Sequence, residues 1–231
     1  MKSVINDLGR CPLFAGVNEA DLAALLQCLG AREMTFSKGE TILREGVPAT
    51  DVGILISGQA QVIRTDYYGN RSIMMHIGPG QLFAEAFACA RAKKLPVNVV
   101  ATEASRILLL DCGRIMTSCC NACAFHNQII YNLLQIVSEK NLSLHRRAMI
   151  NAKRTTREKV MAYLLLQAKE ANRAQFDIPF DRQGLADYLE VDRSGLSAEL
   201  SKLKKEGVLD YFKNSFRLLH VPSALEDPSD Q

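Results

Sequence analysis

The chain has 231 residues, of which 48% are hydrophobic and 23% are charged, and its formal net charge is +3. This composition leaves room for one large or two modest globular domains, and it excludes wholesale disorder because the apolar fraction can offset the entropy lost on ordering. The sequence shows neither a signal peptide nor an apolar run of ~20 residues, so we expect a cytoplasmic protein without a membrane partner. The seven cysteines lack the framework-like spacing of secreted domains, so most thiols are expected to be reduced.

The first half of the chain changes from helical to β periodicity. Asn18 is a suitable N-cap for a helix from Glu19 to Leu29, whose leucines recur on one face. From Met34 to Leu110, short runs rich in isoleucine and valine alternate with glycine turns at regular intervals. This spacing is typical of small β-barrels and sandwiches. We expect an antiparallel β-barrel of cupin or jelly-roll type, and hence an α+β protein once the helices are added.

The segment from Asn127 to about Ala152 contains neither glycine nor proline and is predicted to be one long helix. Six of its residues follow a heptad-like spacing, namely Ile130, Leu134, Val137, Asn141, Leu144 and Ala148. A second apolar row beside this seam consists of Ile129, Leu133 and Ile136. We expect one row to pack on the β unit and the other against the same helix of a second subunit, with Asn141 setting the register. The alternative is a core helix between two domains of a monomer.

The C-terminal part carries the pattern of a winged helix-turn-helix. A capping-box spacing over residues 155–158 starts a new helix and places a domain boundary near residues 150–155. Asp181 and Asp192 then cap two short helices joined by a three-residue turn, and Gly207 ends the second. The predicted buried stripe of that second helix consists of Leu196, Leu200 and Leu203. The predicted wing is a hairpin of segments 209–212 and 216–219, with a turn at 213–215.

The face of the second helix opposite its leucines is predicted to enter the major groove of double-stranded DNA. The segment 193–217 holds six basic residues against three acidic ones, which suits a phosphate backbone. The predicted DNA-binding residues are Arg193, Ser194, Ser197, Ser201, Lys202, Lys205 and Lys213. Arg193 is the expected base reader, the serines contact base edges or phosphates, and the lysines, Lys204 included, neutralise the backbone. The alternative is a small-molecule binding module whose helical subdomain contacts a protein.

The order of a small β-barrel, a long helix and a winged helix-turn-helix resembles the Crp/Fnr family of bacterial transcription regulators over nearly the whole chain. The best-matching stretches are residues 54–58, 80–85, 96–101, 185–189 and 191–197. The resemblance implies a homodimer that binds an inverted-repeat operator and responds to a signal in the barrel, with RNA polymerase as a candidate partner. It divides the chain into an effector-sensing domain at 1–125, a dimerisation helix at 126–152 and a DNA-binding domain at 153–231.

Members of this family that bind cyclic nucleotides carry a Gly-Glu pair for the ribose and an Arg-Ser pair for the cyclic phosphate. Here Glu85 is present, but Ala84 stands in place of the glycine and Leu95-Pro96 in place of Arg-Ser. The main charge-assisted phosphate contact is therefore missing, and the two preceding lysines are poor substitutes for a bidentate fork. The resemblance gives as candidate effector residues Ala84, Glu85, Ala86, Val97 and Asn98. The effector and any cofactor are left unidentified, with a cyclic nucleotide as an alternative.

A cysteine cluster precedes the long helix. Its members are Cys119, Cys120, Cys123 and His126. Two thiolates and an imidazole at this spacing can converge on one metal, so a metal, iron-sulfur or thiol-redox sensor is kept as an alternative. We favour the interpretation of small residues packed at a helix start, and no metal is predicted. Cys28, Cys89 and Cys112 are expected to be core residues without a partner.

Enzyme signatures are absent from the sequence. It contains no glycine-rich phosphate loop, no His-Glu-x-x-His motif and no serine nucleophile elbow. The leading prediction is therefore a homodimeric, sequence-specific DNA-binding transcription regulator, and not an enzyme.

Overall fold

The structure is a computed structural model that describes residues 7–9, 11–65, 67, 71–117 and 125–219. Contacts within the chain divide it into two units, Met1–Glu139 and Lys140–Gln231. In the described part of the chain, no helix is both long and apolar enough to cross a membrane.

The first unit contains two four-stranded sheets. Its strands are β1 (Arg32–Phe36), β2 (Thr41–Leu43), β3 (Asp51–Ser57), β4 (Ala60–Thr65), β5 (Arg71–Ile77), β6 (Leu82–Phe83), β7 (Asn98–Ala101) and β8 (Ser105–Asp111). They are ordered β1-β8-β3-β6 in one sheet and β2-β7-β4-β5 in the other, with antiparallel pairing throughout. The predicted antiparallel jelly-roll arrangement is confirmed. The two sheets form an open sandwich instead of a closed barrel, because each sheet keeps its own two edge strands.

The sheet that contains β3 is buried on both faces. Residues 52–56 of β3 are buried without interruption, so this strand shows a continuous apolar run instead of alternation. One face packs on the second sheet, where Leu55, Phe83 and Ile107 share a core with residues of β2, β4 and β7. The ring of Phe83 lies close against Gly53, since a Cβ at that glycine would be 2.1 Å from the ring.

Helices cover the outer face of this sheet. In the first unit they are α1 (Glu19–Cys28), α2 (Glu85–Cys89), α3 (Cys112–Met116) and the first half of α4 (His126–Asn151). Ile129, Leu133 and Ile136 are buried in one core with residues of α1 and β3, so this second row is the one that packs on the β unit. The helix α1 ends at Cys28, one residue before the predicted end, and Asn18 is its N-cap without a capping side-chain hydrogen bond.

The second unit is a winged helix-turn-helix. After the end of α4 it contains α5 (Thr156–Ala171), β9 (Gln175–Asp177), α6 (Arg182–Leu189), α7 (Arg193–Lys205), β10 (Leu209–Phe212) and β11 (Ser215–Leu218). The strands form one antiparallel sheet in the order β10-β11-β9. The predicted capping box is confirmed, since Thr155 and Glu158 exchange both of its hydrogen bonds. The wing turn is shorter than predicted, because Ser215 already pairs with Phe212 and only two residues remain between the strands.

Candidate functional site

The second helix of the pair, α7, is buried along one side only. Leu196, Leu200 and Leu203 are each 0% exposed and belong to the core of the second unit. Among the predicted DNA-binding residues Ser197 is half-buried, and the exposed ones are Arg193, Ser194, Ser201, Lys202, Lys205 and Lys213. Six of the seven therefore belong to α7, with Arg193 and Ser197 on the flank of its leucine stripe, and Lys213 lies in the turn of the wing.

Asp192 is the N-cap of α7. Its carboxylate accepts a hydrogen bond from the Ser194 hydroxyl and another, at 2.9 Å, from the main-chain nitrogen of Gly195. Both hydrogen bonds lower the pKa of Asp192, the one from Ser194 more than the one from Gly195. The cap is therefore ionised at neutral pH, and it satisfies main-chain donors at the positive end of the helix dipole.

Two serine hydroxyls of α7 donate their protons back to the helix. Ser197 donates to the main-chain oxygen of Arg193, and Ser201 donates to the main-chain oxygen of Ser197, each at 2.9 Å. With these protons engaged, both hydroxyl oxygens present lone pairs to a ligand. In a major groove such acceptors match the amino groups of adenine and cytosine.

The acidic side chain within α7 and the one at its C-cap both pair with an arginine of α5. The Arg157 guanidinium pairs with Glu199 at 3.2 Å and with Glu206 at 2.6 Å. Its hydrogen bond lowers the pKa of Glu206. Within the described residues, neither Arg193 nor Lys205 forms an ion pair. The charge left on the outward side of α7 is therefore positive, which favours a polyanion.

Lys204 is held against the wing. Its Nζ lies 2.5 Å from Oδ1 of Asp210 and 5.3 Å from the centre of the Tyr211 ring. The hydrogen bond from Lys204 lowers the pKa of Asp210. Lys204 therefore links α7 to the wing through a surface ion pair, and its contact with phosphate stays a prediction.

The turn of the wing presents an aromatic ring beside a cation. Phe212 is 75% exposed, and Nζ of Lys213 lies 5.6 Å from the centre of its ring. At the base of the wing, the guanidinium of Arg182 lies 5.0 Å from the centre of the Tyr211 ring. The sequence pattern did not indicate that Phe212 lies on the surface, because an aromatic residue in a strand pattern normally indicates core.

Three donors from α4 and α5 cap the C-terminal end of α6. The Asn151 amide donates to the main-chain oxygen of Tyr188 at 3.2 Å, and Nζ of Lys159 donates to that of Leu189 at 3.0 Å. Arg147 donates to the same end of the helix. These contacts position the first helix of the pair, and the sequence could not reveal them because main-chain acceptors have no residue signature.

The candidate effector residues lie at the start of α2 and of β7. Ala84 is the N-cap of α2 in the left-handed conformation, with a φ of +62°. Glu85, the first residue of the helix, is only 5% exposed. Ala86 is exposed, and Val97 and Asn98 are half-buried. Glycine adopts such a left-handed backbone at lower steric cost than the alanine found at position 84.

Position 95 provides no cation for a phosphate. Leu95 is 2% exposed, and its main chain exchanges hydrogen bonds with Gly46 at 2.9 Å and Val47 at 2.8 Å. Asn98 is also engaged, since its Oδ1 accepts a hydrogen bond from the main-chain nitrogen of Glu45 at 2.9 Å. A buried leucine held in this way offers no charge-assisted contact to a ligand.

Three members of the cysteine cluster, Cys119, Cys120 and Cys123, lie outside the described residues. The fourth, His126, is 4% exposed, and its Nε2 lies 3.0 Å from the main-chain oxygen of Ile115, so this nitrogen carries the proton. Among the residues that the structure does describe, no group of three or more potential metal ligands occurs.

The positions of Cys89 and Cys112 differ from what the sequence predicted. Both were expected to lack a partner, but their Sγ atoms lie 3.7 Å apart. The expectation was wrong because the two residues are 23 positions apart and belong to different helices, so no local sequence pattern indicates the contact.

Two family models match the chain. A cyclic nucleotide-binding domain matches residues 33–117, and a Crp-like helix-turn-helix domain matches residues 158–227. The first model covers the β sandwich, and the second covers most of the winged helix-turn-helix.

Two curated relatives match shorter segments. The chain is 30% identical over 105 residues to a protein of Rhodopseudomonas palustris named as a potassium channel protein, covering 45% of this chain and 24% of that one. It is 32% identical over 78 residues to the CRP-like cAMP-activated global transcriptional regulator of Mycobacterium tuberculosis, covering 34% of each. The chain thus spans about a third or less of the length of these relatives.

A solved structure matches nearly the whole chain. The c-di-GMP responsive global regulator CLP of Xanthomonas campestris aligns with a TM-score of 0.57 and 17% identity, covering 88% of this chain and 100% of that one. At this identity the likeness concerns the fold alone.

Proposed function

The chain belongs to the Crp/Fnr family of DNA-binding transcription regulators, and we propose that it works as a homodimer on an inverted-repeat operator under the control of an effector. The observation that carries this proposal is the outward side of α7. There Arg193 and Lys205 are exposed without an ion pair among the described residues, while Glu199 and Glu206 are paired with Arg157. A helix anchored by leucines, with a cationic outer side, fits the major groove of double-stranded DNA.

The residues of this surface have different proposed roles. Arg193 lies in the first turn of α7, where a recognition helix meets base edges, and its guanidinium suits a bidentate contact to guanine. Ser194, Ser197 and Ser201 supply short polar contacts that allow close approach. The proposed phosphate contacts are Lys202, Lys205 and Lys213, which neutralise charge without reading sequence.

An exposed apolar row on α4 supports the homodimer. Leu134 is 63% and Leu144 is 67% exposed, with the exposed polar residue Asn141 between them. The other two apolar heptad positions before Ala148, Ile130 and Val137, are half-buried. The same helix of a second copy would cover this row, and it would place two recognition helices on successive turns of DNA. We accordingly propose 126–152 as the dimerisation helix, between a sensing domain at 1–125 and a DNA-binding domain at 153–231.

The effector is proposed to be a molecule other than a cyclic nucleotide. The buried Leu95 removes the cation that a cyclic phosphate needs. A cyclic nucleotide is the second candidate, favoured by the domain match over residues 33–117 and by Glu85 at the start of α2. Titration calorimetry with cAMP and cGMP separates the two: we expect no saturable heat, and saturable binding of either nucleotide would contradict the first proposal.

The proposed cellular location and protein partner of this regulator follow from DNA binding. A bacterial regulator of this kind acts in the cytoplasm, and RNA polymerase is its proposed protein partner. The proposal involves no catalytic step.

Selection from a random duplex library tests DNA binding. The full chain is expected to enrich an inverted repeat whose half-sites lie about one helical turn apart. Arg193→Ala should relax the motif at one symmetric pair of positions, whereas Lys169→Ala, at an exposed lysine of α5, should enrich the same motif as the parent chain. Failure to enrich any motif at low salt would contradict the proposal and favour a protein-binding role for the second unit.

A further inference from the structure

Two thiols lie in contact where two short helices meet. Cys89 is the last residue of α2, and Cys112 is the first residue of α3. The Cys112 thiol donates a hydrogen bond to Sγ of Cys89 across 3.7 Å.

We propose that Cys89 and Cys112 form a reversible intramolecular disulfide, so that this sulfur pair is an oxidative modification site of the protein. A disulfide has an S–S bond of ~2.05 Å, so the two sulfurs need to approach each other by about 1.7 Å. Both cysteines occupy helix ends, where side-chain rotation and a small backbone shift are less constrained than in a helix interior. The sulfur pair also lies outside the segment that contains Cys119, Cys120 and Cys123.

The surroundings of the two sulfurs differ, and this difference gives them different roles. Cys112 is 4% exposed, and burial, with a further contribution from Cys89, raises the pKa of Cys112 to about 12. It is therefore a protonated thiol at neutral pH. Cys89 is half-buried, so its sulfur is the one that a small oxidant from solvent reaches first.

The reaction with a peroxide proceeds in two balanced steps. The Cys89 sulfur attacks one oxygen of hydrogen peroxide, an S–O bond forms as the O–O bond breaks, and one water leaves after proton transfer. The Cys112 sulfur then attacks the Cys89 sulfur, the S–S bond forms as the S–O bond breaks, and the Cys112 proton leaves with the oxygen as a second water. Two thiols are oxidised by two electrons and one peroxide is reduced to two waters. A dithiol reductant reverses the change by exchange.

The disulfide would tie together two elements next to the candidate effector region. The helix α2 begins with Glu85 and ends with Cys89, and Ala84 before it and Arg91 after it are both left-handed, with φ of +62° and +51°. Joining its last residue to α3 fixes the short helix at the end opposite Glu85. Oxidation would therefore restrict the same segment that carries the candidate effector residues.

Peptide mapping of the oxidised full-length chain tests the proposal. After treatment with hydrogen peroxide and blocking of free thiols, we expect a mass loss of two hydrogen atoms and a Cys89–Cys112 linked peptide that dithiothreitol removes. The same linkage is expected when Cys119, Cys120 and Cys123 are all replaced by serine. A linkage of Cys89 or Cys112 to another cysteine, or sulfinic acid at Cys89 without any linkage, would overturn the proposal.

Trapping with dimedone tests the order of the steps. Cys112→Ala removes the resolving thiol, so Cys89 should accumulate as the dimedone adduct several-fold above the parent chain. Cys28→Ala, which removes a half-buried thiol of α1, should leave both the linkage and the adduct level unchanged. If Cys112→Ala fails to fold by circular dichroism, the peptide map of the parent chain decides the matter alone.

Discussion

The guanidinium of Arg147 contacts Tyr188 twice: Nε donates to its main-chain oxygen at 3.1 Å, and the group lies 5.2 Å from the centre of its ring. Arg147 belongs to α4, and Tyr188 is the second-last residue of α6. The last main-chain oxygens of a helix lack partners within the helix and carry partial negative charge. The cation therefore holds the first helix of the helix-turn-helix against the end of the long helix.

Loss of this contact should loosen α6. Arg147→Met is expected to destabilise the second unit by about 1–2 kcal/mol, because main-chain acceptors lose a charged donor. Hydrogen exchange in peptides covering α6 should become roughly tenfold faster. The neighbouring Arg146 pairs with Glu170 on the surface, so Arg146→Met should change exchange much less. Equal acceleration in both variants would show that Arg147 has no special role.

The left-handed backbone at Ala84 predicts a stabilising substitution. Ala84→Gly should raise stability by about 0.5–1 kcal/mol, because glycine adopts a positive φ without steric cost. Ala86→Gly, two residues later within α2, should lower stability by a similar amount, since glycine is unfavourable inside a helix. Urea unfolding followed by circular dichroism measures both. A loss of stability in Ala84→Gly would contradict the strained conformation.

The exposed row on α4 predicts a monomerising substitution. Leu134→Asp or Leu144→Asp should convert a dimer to a monomer, because a carboxylate cannot be buried without a partner in an apolar seam. Sedimentation velocity of the full chain reports the change. Glu139→Gln, at an exposed position away from the seam, should remain dimeric. A monomeric parent chain, or a dimeric Leu134→Asp, would exclude this row as the interface.

The pair between Arg157 and Glu206 predicts a pH dependence of folding. The hydrogen bond from Arg157 lowers the pKa of Glu206 below its ordinary value of 4.5. When the folded-state pKa of a carboxyl group is lowered, the group stabilises the fold at pH values above its unfolded-state pKa. This stabilisation is lost as the pH falls through the folded-state pKa. Glu206→Gln should therefore unfold at lower urea than the parent chain at neutral pH, and the difference should vanish in acid. Glu19→Gln, measured in the same way, serves as a control. A stability difference between Glu206→Gln and the parent chain that persists in acid would contradict the pairing of Glu206 with Arg157.

Local patterns were sufficient to predict the elements that position the site. The cap at Asp192, the stripe at Leu196, Leu200 and Leu203, and the apolar runs between glycine turns are all signals within a few residues. Contacts between residues distant in sequence were not predictable. Three features depend on tertiary packing, which leaves no short pattern in a single sequence. They are the Cys89–Cys112 pair, the donors onto the end of α6 and the exposed ring of Phe212.

The most direct test of the account is the salt dependence of operator binding. The outward side of α7 is proposed to meet DNA, with Lys205 on phosphate and Arg193 on a base. In fluorescence anisotropy titrations on the selected operator, Lys205→Ala should reduce the salt slope by about 1 and keep sequence preference. Arg193→Ala should cost ~1–3 kcal/mol at one base position. Binding of both variants with the affinity, preference and salt slope of the parent chain would contradict the account.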